Sequence, residues 1–552
     1  MRTKISGFGI ILAALCLLLG TMFESTVNPI TREQVIGAEH VMGLTFSDSK
    51  RDSMLDGLRD QLGNYEKLRK ISIPNSIPPA IIFNPVPQGM KFDTERRSFV
   101  ASPAPVVEKP KSIEDVAFYS VSQLGELIKT RKLTSVDLTK MYLGRLKKYG
   151  PKLECVITLT EDLAINQARQ ADEEIAAGKY RGPLHGIPYG AKDLLATKGI
   201  RTTWGSVPFK DQMIDEDATV ISRLRDAGAV LVAKLTMGEL AWGDVWYGGK
   251  TRNPWNTKEG SSGSSAGSAS ATAGGLVGFA IGTETWGSIV SPSTVCGTTG
   301  LRPTYGRVSR TGAMALSWSM DKIGPICRSV EDCALVFNAI YGPDGVDQTL
   351  YDLPFNYDPN IDFGKLRIGY VKSEFDSVKK YRDLNEAVFA TLSKLGAKLV
   401  PIELPRYPIG DLSFILNAEA GAAFDELTRS GKDDMLVRQI KDAWPNVFRA
   451  SRFIPAVEYI QANRVRYMVI QEMAKIMQNV DLYIAPPFEG DNSLMTNLTG
   501  HPCVVVPMGF TKDGTPTSIT FMGRLFDEAT LLAVAKKYQD ATGFQLKHPK
   551  MD

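Results

Sequence analysis

Two short segments, Gly263–Ser268 (GSSAGS) and Gly282–Ser288 (GTETWGS), decide how this chain is interpreted. Between them, the small, alanine-rich run at 265–277 predicts a closely packed helix, and residues 278–282 predict a short buried strand. Runs of glycine and serine are often flexible linkers. This run has core-forming sequence on both sides, so we interpret it as part of a folded domain.

The same segments offer serines as nucleophiles, and a lysine is the candidate for their base. A serine nucleophile needs a base to take its proton. No histidine lies near the two serine-bearing segments, but Pro188–Asp193 (PYGAKD) places Lys192 at the end of another apolar run. A neutral lysine that acts through a second serine is therefore the simplest arrangement.

Several blocks of this sequence resemble the amidase signature family of Ser-Ser-Lys amide hydrolases. The resemblance covers about residues 115–342 and returns near 482–545. The blocks that carry it, in chain order, are Gly186–Asp193, Gly263–Ser268, Gly282–Ser288, Gly300–Ser309, Thr496–Gly500 and Phe526–Leu531. By this resemblance Ser288 is the nucleophile, Ser264 is the bridging serine held on a cis peptide bond, and Lys192 is the base.

The resemblance implies hydrolysis of a carboxylic amide to an acid and an amine or ammonia, through an acyl-enzyme on Ser288. The backbone N–H groups that would stabilise the oxyanion belong to Thr285, Trp286, Gly287 and Ser288. Lys192 would act as a base near neutral pH only if burial lowers its pKa. No cofactor and no metal is implied, and the expected substrate is a small-molecule or peptide amide.

The sequence departs from the family pattern beside the predicted nucleophile. Where the family usually has Gly-Gly-Ser, this chain has Trp286, Gly287 and Ser288, and Ser262 and Ala266 also stand where glycine is common. None of these changes removes a side chain that the predicted chemistry uses. Trp286 either forms a wall of the substrate pocket or packs into the core. We expect core packing, because large aromatic side chains gain most from burial.

Other functions remain open. Residues 263–267 also fit G-x-S-x-G, the nucleophile elbow of α/β-hydrolase esterases, with Ser265 at its centre. That motif needs an apolar strand before it, whereas residues 253–261 form a polar segment. The same site would also suit a glutaminase-type subunit of an amidotransferase, or a binding protein that has lost activity. The four histidines have no H-E-x-x-H spacing, which disfavours a zinc peptidase.

The N-terminus predicts export. Met1–Lys4 carries positive charge, and residues 5–23 form a nearly unbroken apolar stretch, which indicates a signal peptide or a membrane anchor. We expect cleavage near residues 20–26 and a periplasmic or secreted protein. Export argues against the hypothesis of an amidotransferase subunit, because the partners of such a subunit and their ATP are cytoplasmic. Cys16 lies in the apolar stretch, and the odd number of cysteines after it does not predict a disulfide framework.

Composition and periodicity predict an α/β fold. The chain has 552 residues, is 43% hydrophobic and has a formal net charge of +3. It is therefore long enough to bury a large core. The net charge shows no excess of basic residues that would indicate binding to nucleic acid. Strand patterns alternate with helix patterns, which predicts a large mixed or mainly parallel β-sheet covered by helices. The fold of the family that the chain resembles agrees.

The predicted organisation has four parts: a signal peptide or membrane anchor (1–25), an N-terminal helix with a Pro-rich extended linker (26–111), an amidase domain (112–545) and a C-terminal tail (546–552). Helices are predicted at about 47–70, 120–131 and 135–149, and buried strands at 229–235, 278–282, 366–371, 482–486, 503–508 and 518–523. The stretch 343–480 is predicted to be mostly helical, and we expect it to set substrate selectivity.

Overall fold

The computed structural model describes residues 30–551, which divide into two compact units between Pro74 and Asn75. The smaller unit contains the helices α1 (Arg32–Met42) and α2 (Asp48–Leu68). The prediction of a helix at 47–70 is confirmed, whereas α1 was not predicted.

The sequence carries a local signal for α1 that the periodicity analysis missed. The side chain of Thr31 accepts a hydrogen bond from the Gln34 backbone N–H, and the Gln34 side chain accepts one from the Thr31 N–H. This reciprocal capping box satisfies backbone donors that a helix start leaves unpaired. An ion pair of 2.8 Å between Glu39 and Arg51 then ties α1 to α2.

The larger unit is built on a mixed sheet of 11 strands, beside which lie two small hairpins. The strands of the sheet and the hairpins are β1 Val156–Leu159, β2 Pro188–Lys192, β3 Val230–Leu235, β4 Val245–Trp246, β5 Gly249–Lys250, β6 Arg252–Asn253, β7 Asn256–Gly260, β8 Phe279–Glu284, β9 Thr299–Arg302, β10 Lys322–Cys327, β11 Arg367–Val371, β12 Lys398–Ile402, β13 Leu482–Ala485, β14 Cys503–Phe510 and β15 Pro516–Gly523.

The order of strands in the sheet is β1-β3-β2-β8-β10-β9-β14-β15-β13-β11-β12, and the hairpins are β4–β5 and β6–β7. The pairs β2–β3, β2–β8, β11–β12 and β11–β13 are parallel, and the other pairs of this sheet are antiparallel.

Helices cover this sheet, so the predicted α/β class with a large mixed sheet is confirmed. They are α3 Val121–Lys129, α4 Ser135–Leu153, α5 Glu161–Ala176, α6 Thr219–Asp226, α7 Ala266–Ala273, α8 Val290–Cys296, α9 Val330–Ile340, α10 Lys372–Ser377, α11 Arg382–Lys394, α12 Phe414–Ala423, α13 Asp425–Arg429, α14 Trp444–Ser451, α15 Ala456–Asn479, α16 Asn492–Thr499 and α17 Glu528–Thr542. The stretch 343–480 is largely helical, as predicted, but it also contributes the parallel strands β11 and β12.

The six predicted strands are confirmed, whereas several central strands of the sheet were not predicted. Among the missed strands, β2 and β10 are buried at every position, although each contains lysine and glycine. A strand that is covered on both faces shows no alternation of polar and apolar residues. Glycine and lysine are also depleted in strands generally, so local sequence gives no signal for these two.

The Pro-rich tract after residue 74 belongs to the larger unit. Residues 75–111 form no helix or strand, but their side chains pack along the domain. The ring of Phe83 lies edge-on to Tyr305 at a centroid distance of 5.0 Å, and the Ser102 hydroxyl donates to Glu331 at 2.9 Å. The larger compact unit therefore includes residues 75–111, and the predicted domain boundaries stay predictions.

The predicted signal peptide or anchor and Cys16 lie outside the described residues, so export stays a prediction. Between residues 30 and 551, no helix combines the length and the apolar character that crossing a membrane requires. The five cysteines within this range are buried and free.

A buried ion pair ties the start of α17 to the segment after β9, and its loss is expected to destabilise the larger unit. The Arg307 Nε–Glu528 Oε2 distance is 3.1 Å, and both side chains are fully buried. Glu528→Ala leaves a buried guanidinium without a carboxylate, so we expect a loss of about 3–5 kcal/mol in the free energy of unfolding, measured with urea. Asp540→Ala removes the partner of Lys536 in a surface pair and should cost less than about 1 kcal/mol. Equal losses in the two variants would contradict this account.

Candidate active site

The three predicted catalytic side chains meet at one edge of the sheet. The parallel strands β2 and β8 are neighbours, so their carboxyl ends lie at the same edge. Lys192 is the last residue of β2, Ser264 precedes α7, and Ser288 lies in the loop between β8 and α8. The fold thus collects residues that are distant in sequence at the ends of two adjacent strands.

Their functional atoms form a continuous hydrogen-bonded row. Lys192 Nζ lies 2.8 Å from Ser264 Oγ, and Ser264 Oγ lies 3.0 Å from Ser288 Oγ. Lys192 and Ser264 are buried, and Ser288 retains 8% exposure. The peptide bond between Gly263 and Ser264 is cis, as the resemblance implied.

The environment of Lys192 favours a neutral amine. Its Nζ lies 2.8 Å from Thr283 Oγ1 and 3.1 Å from Ser265 Oγ, which are neutral partners. Burial lowers the pKa of Lys192 to about 7, although the negative charges of Asp321 and Glu284 raise the pKa in part. A substantial fraction of the amine is therefore unprotonated near neutral pH. Thr283 was not predicted as a partner of this lysine.

Ser265, the centre of the G-x-S-x-G pattern, lies inside the protein. Its side chain is fully buried, donates to the carbonyl of Thr283 at 3.0 Å and accepts from the Thr283 N–H at 3.1 Å. A nucleophile elbow exposes its serine on a sharp turn that follows a strand of the main sheet. The strand before Ser265 is β7, which pairs only with β6 in a small hairpin. The geometry excludes the esterase alternative.

The loop before Ser288 presents a cluster of free backbone donors. Within residues 30–551, the N–H groups of Thr285, Trp286, Gly287 and Ser288 donate to no protein acceptor. Gly287 has a φ of +84°, and a side chain at this position would meet open space. The predicted donors of an oxyanion hole are therefore without a protein partner in the short loop that leads to Ser288.

Trp286 does not pack into the core. Its side chain is 45% exposed, so the expectation of core packing was wrong. The physical reason lies in its neighbours: the side chains of Thr285 and Glu284 point to buried partners and hold the loop, which leaves Trp286 on the open side.

Glu284 organises the loop from within, and the sequence analysis assigned it no role. One carboxylate oxygen accepts from Arg302 Nη1 at 2.8 Å and from Asn497 Nδ2 at 3.0 Å. The other accepts the backbone N–H groups of Ile289 and Val290 at 2.8 and 3.0 Å. Burial by itself would raise the pKa of Glu284, but the charge of Arg302 and these hydrogen bonds lower it to about 2. The sequence signal was that Glu284, Arg302 and Asn497 all belong to blocks that resemble the family.

Asp321 anchors the other side of the same loop. Its carboxylate accepts from the Thr285 hydroxyl at 2.5 Å and from the backbone N–H groups of Leu316 and Ser317 at 2.8 and 2.9 Å. Burial raises the pKa of Asp321. The Asn75 side chain in turn pairs with both backbone groups of Ala315, at 2.7 and 2.9 Å. Nothing in the sequence around this single aspartate predicts that it anchors the loop.

The loop 238–243 packs closely against the Gly263–Ser264 peptide. The Gly238 N–H donates to the Ser264 carbonyl at 3.2 Å. A Cβ at Gly263 would lie 1.8 Å from the Gly243 carbonyl oxygen, so only glycine fits there. Between these contacts, Leu240 adopts the left-handed region with a φ of 48°. Left-handed non-glycine residues cost energy and persist where the surrounding structure holds them, which often occurs at active sites.

Within the described range, residues 30–551, no group of three or more His, Cys, Asp or Glu side chains is arranged to hold a metal ion.

Comparison with known proteins shows the family to which the chain belongs. A sequence model of the family Amidase matches residues 137–491. The chain is 34% identical over 480 residues to the A subunit of the glutamyl-tRNA(Gln) amidotransferase of Marinomonas sp. (strain MWYL1), an alignment that covers 78% of this chain and 98% of the relative. It is 33% identical over 491 residues to the corresponding protein of Carboxydothermus hydrogenoformans, covering 79% of this chain and all of the relative.

Solved structures give the same result. The native peptide amidase from Stenotrophomonas maltophilia superposes with a TM-score of 0.70 at 30% identity, over 79% of this chain and 99% of that chain. A bacterial aryl acylamidase superposes with a TM-score of 0.71 at 22% identity, which shows a shared fold. This chain belongs to the amidase signature family, whose members hydrolyse carbon–nitrogen bonds.

The lowered pKa of Lys192 predicts a pH dependence of activity. The neutral amine is the reactive form, so kcat/KM for an amide should rise with pH through about 7 and level off above about pH 8. Asp321→Asn removes a negative charge that favours the ammonium form of Lys192. The rise of kcat/KM with pH, which is the acid limb of the pH profile, should therefore shift to lower pH. The exposed carboxylate Asp540 offers a matched control, and Asp540→Asn should leave the limb in place. A limb that stays fixed in Asp321→Asn would show that the titrating group is not this lysine.

Proposed function

We propose that this protein hydrolyses a carboxylic amide, with Ser288 as the nucleophile, Ser264 as the bridging serine and Lys192 as the base. The observation that carries the proposal is the row of hydrogen-bonded atoms from a buried lysine of lowered pKa to a serine hydroxyl beside free backbone donors. A serine is a weak nucleophile until a neighbouring base takes its proton. This row supplies that base without a histidine.

In the first half-reaction, Ser288 Oγ attacks the amide carbonyl carbon. Its proton passes to Ser264 Oγ as the Ser264 proton passes to the neutral amine of Lys192, which becomes an ammonium. The carbonyl oxygen gains a negative charge, which the N–H groups of the loop 285–288 stabilise. The tetrahedral intermediate then collapses: the C–N bond breaks, and the relay returns the proton to the leaving nitrogen.

In the second half-reaction, water attacks the ester carbonyl of the acyl-enzyme. The same relay takes a proton from the water, and the C–O bond to Ser288 breaks. The proton returns to Ser288 Oγ, the carboxylic acid leaves, and Lys192 is neutral again. The net change is one water consumed and one amide converted to an acid and an amine or ammonia.

The second candidate function is that of the glutaminase-type component of an amidotransferase. It is favoured by the relatives named as the A subunit of glutamyl-tRNA(Gln) amidotransferase, of which the chain covers nearly the whole length. The N-terminal sequence argues for the free hydrolase, because an apolar leader predicts export away from cytoplasmic partners. Export is itself part of the proposal.

The nucleophile is tested by covalent labelling. Ser288→Ala should abolish hydrolysis of a panel of amides and labelling by a fluorophosphonate probe, because the acyl-enzyme forms on this hydroxyl. Ser265→Ala removes one partner of Lys192 and should keep the label, with a milder loss of rate. Hydrolysis of simple amides by the isolated chain supports the free hydrolase, whereas turnover restricted to glutamine supports the amidotransferase component. Label retained in Ser288→Ala would refute the assignment of the nucleophile.

The relay is tested by a double-mutant cycle. Lys192→Ala should lower kcat/KM by about 10²- to 10⁴-fold, the usual effect of losing a general base. Because Lys192 and Ser264 act as one unit, combining Lys192→Ala with Ser264→Ala should cost much less than the product of the two single effects. Circular dichroism of each variant checks that the fold is retained. Multiplicative losses would mean that the two residues act independently.

A further inference from the structure

Trp286 is exposed at the place where a large aromatic side chain is least expected. The chain has seven tryptophans, all within the described residues, and Trp286 is the one that is about half exposed, at 45%. By contrast, Trp204 and Trp444 are each 7% exposed and contact other aromatic rings. Leaving an indole in water forgoes the free energy that its burial would contribute. The exposure of Trp286 therefore calls for an explanation.

The backbone that carries this indole is anchored on both sides. On its N-terminal side, Thr285 donates to Asp321 at 2.5 Å. On its C-terminal side, the Gly287 carbonyl accepts from the Ser291 N–H at 2.7 Å, and the Ile289 N–H donates to Glu284 at 2.8 Å. Because this backbone is already ordered, a ligand that contacts the indole does not have to order the loop on binding.

The indole and the nucleophile are separated by one residue. Gly287 lies between Trp286 and Ser288, and the position where its side chain would stand is open space. The same short loop carries the free N–H groups to which a substrate carbonyl would bind. A substrate that reaches Ser288 must therefore approach closely the loop from which the indole projects.

We propose that Trp286 is a specificity-determining residue that stacks on a planar aromatic group of the substrate, so that the enzyme prefers amides with an aromatic ring next to the scissile bond. The inference rests on the proposed amide hydrolysis at Ser288. Aromatic rings attract one another beyond the area that they bury, in offset-stacked or edge-to-face arrangements. A saturated ring of the same size buries similar area and lacks this attraction, which provides a matched comparison.

The test measures how well ring-matched amides protect Ser288 from a fluorophosphonate probe in the full-length protein. Benzamide is compared with cyclohexanecarboxamide, and acetanilide with N-cyclohexylacetamide, which places the ring on either side of the amide. In at least one pair the wild type should favour the aromatic member by about 3- to 10-fold, the contribution of one aromatic contact. Trp286→Leu should reduce this preference to below about 2-fold, and Trp286→Phe should retain most of it.

The outcomes separate this inference from the proposed function. Because Trp286 is half exposed, both substitutions should leave the core intact, and circular dichroism with thermal unfolding of the variants verifies this. No labelling of Ser288 in the wild type would refute the proposed function itself. Normal labelling with no aromatic preference in either pair, or a preference that survives in Trp286→Leu, would overturn the stacking role alone.

Discussion

The buried ion pair between Glu284 and Arg302 is the interaction on which the structure around the candidate active site depends. A fully buried carboxylate is tolerated only when it is paired and all its oxygens are hydrogen-bonded. Here it joins β8 to β9 through Arg302 and to α16 through Asn497, and it caps the start of α8 with two backbone N–H groups. The segment 279–302, which contains β8, α8 and β9, and the distant helix α16 thus converge on one charge, directly beside the loop that carries Ser288.

This network has a second consequence, which concerns the charge of Lys192. The lysine is surrounded by hydroxyl and carbonyl oxygens, whereas the nearby carboxylates of Glu284 and Asp321 have other partners. Their charges therefore act on Lys192 from a distance and only moderate the effect of burial on its pKa. A direct ion pair would hold the lysine as an ammonium. Lys192 can be a neutral base because the two nearby carboxylates, Glu284 and Asp321, bind other groups and do not pair with it.

Stability and reactivity are divided between the two sides of the loop 285–288. The buried side chains of Thr285 and Glu284 anchor it, whereas its backbone N–H groups have no acceptor among residues 30–551 and the Trp286 side chain is exposed. Unpaired donors reduce stability, and they gain a partner when an oxyanion forms. The left-handed residues near the Gly263–Ser264 peptide follow the same principle, since surrounding contacts hold an unfavourable backbone conformation. The fold thus keeps reactive groups in place at the expense of local stability.

The sequence by itself determined the fold class and the apolar strands such as β14. It also singled out Lys192, Ser264 and Ser288 as the side chains that meet in the candidate site, because their motifs are local and keep a fixed order. Tertiary structure alone decided what surrounds them. The partners Thr283, Glu284 and Asp321 are ordinary residues in sequence and acquire their roles from contacts across strands and between distant segments. Fully buried strands lack alternation, and the exposure of Trp286 depends on where its neighbours are anchored. Such properties belong to the packed chain, since they arise only when segments far apart in sequence come together.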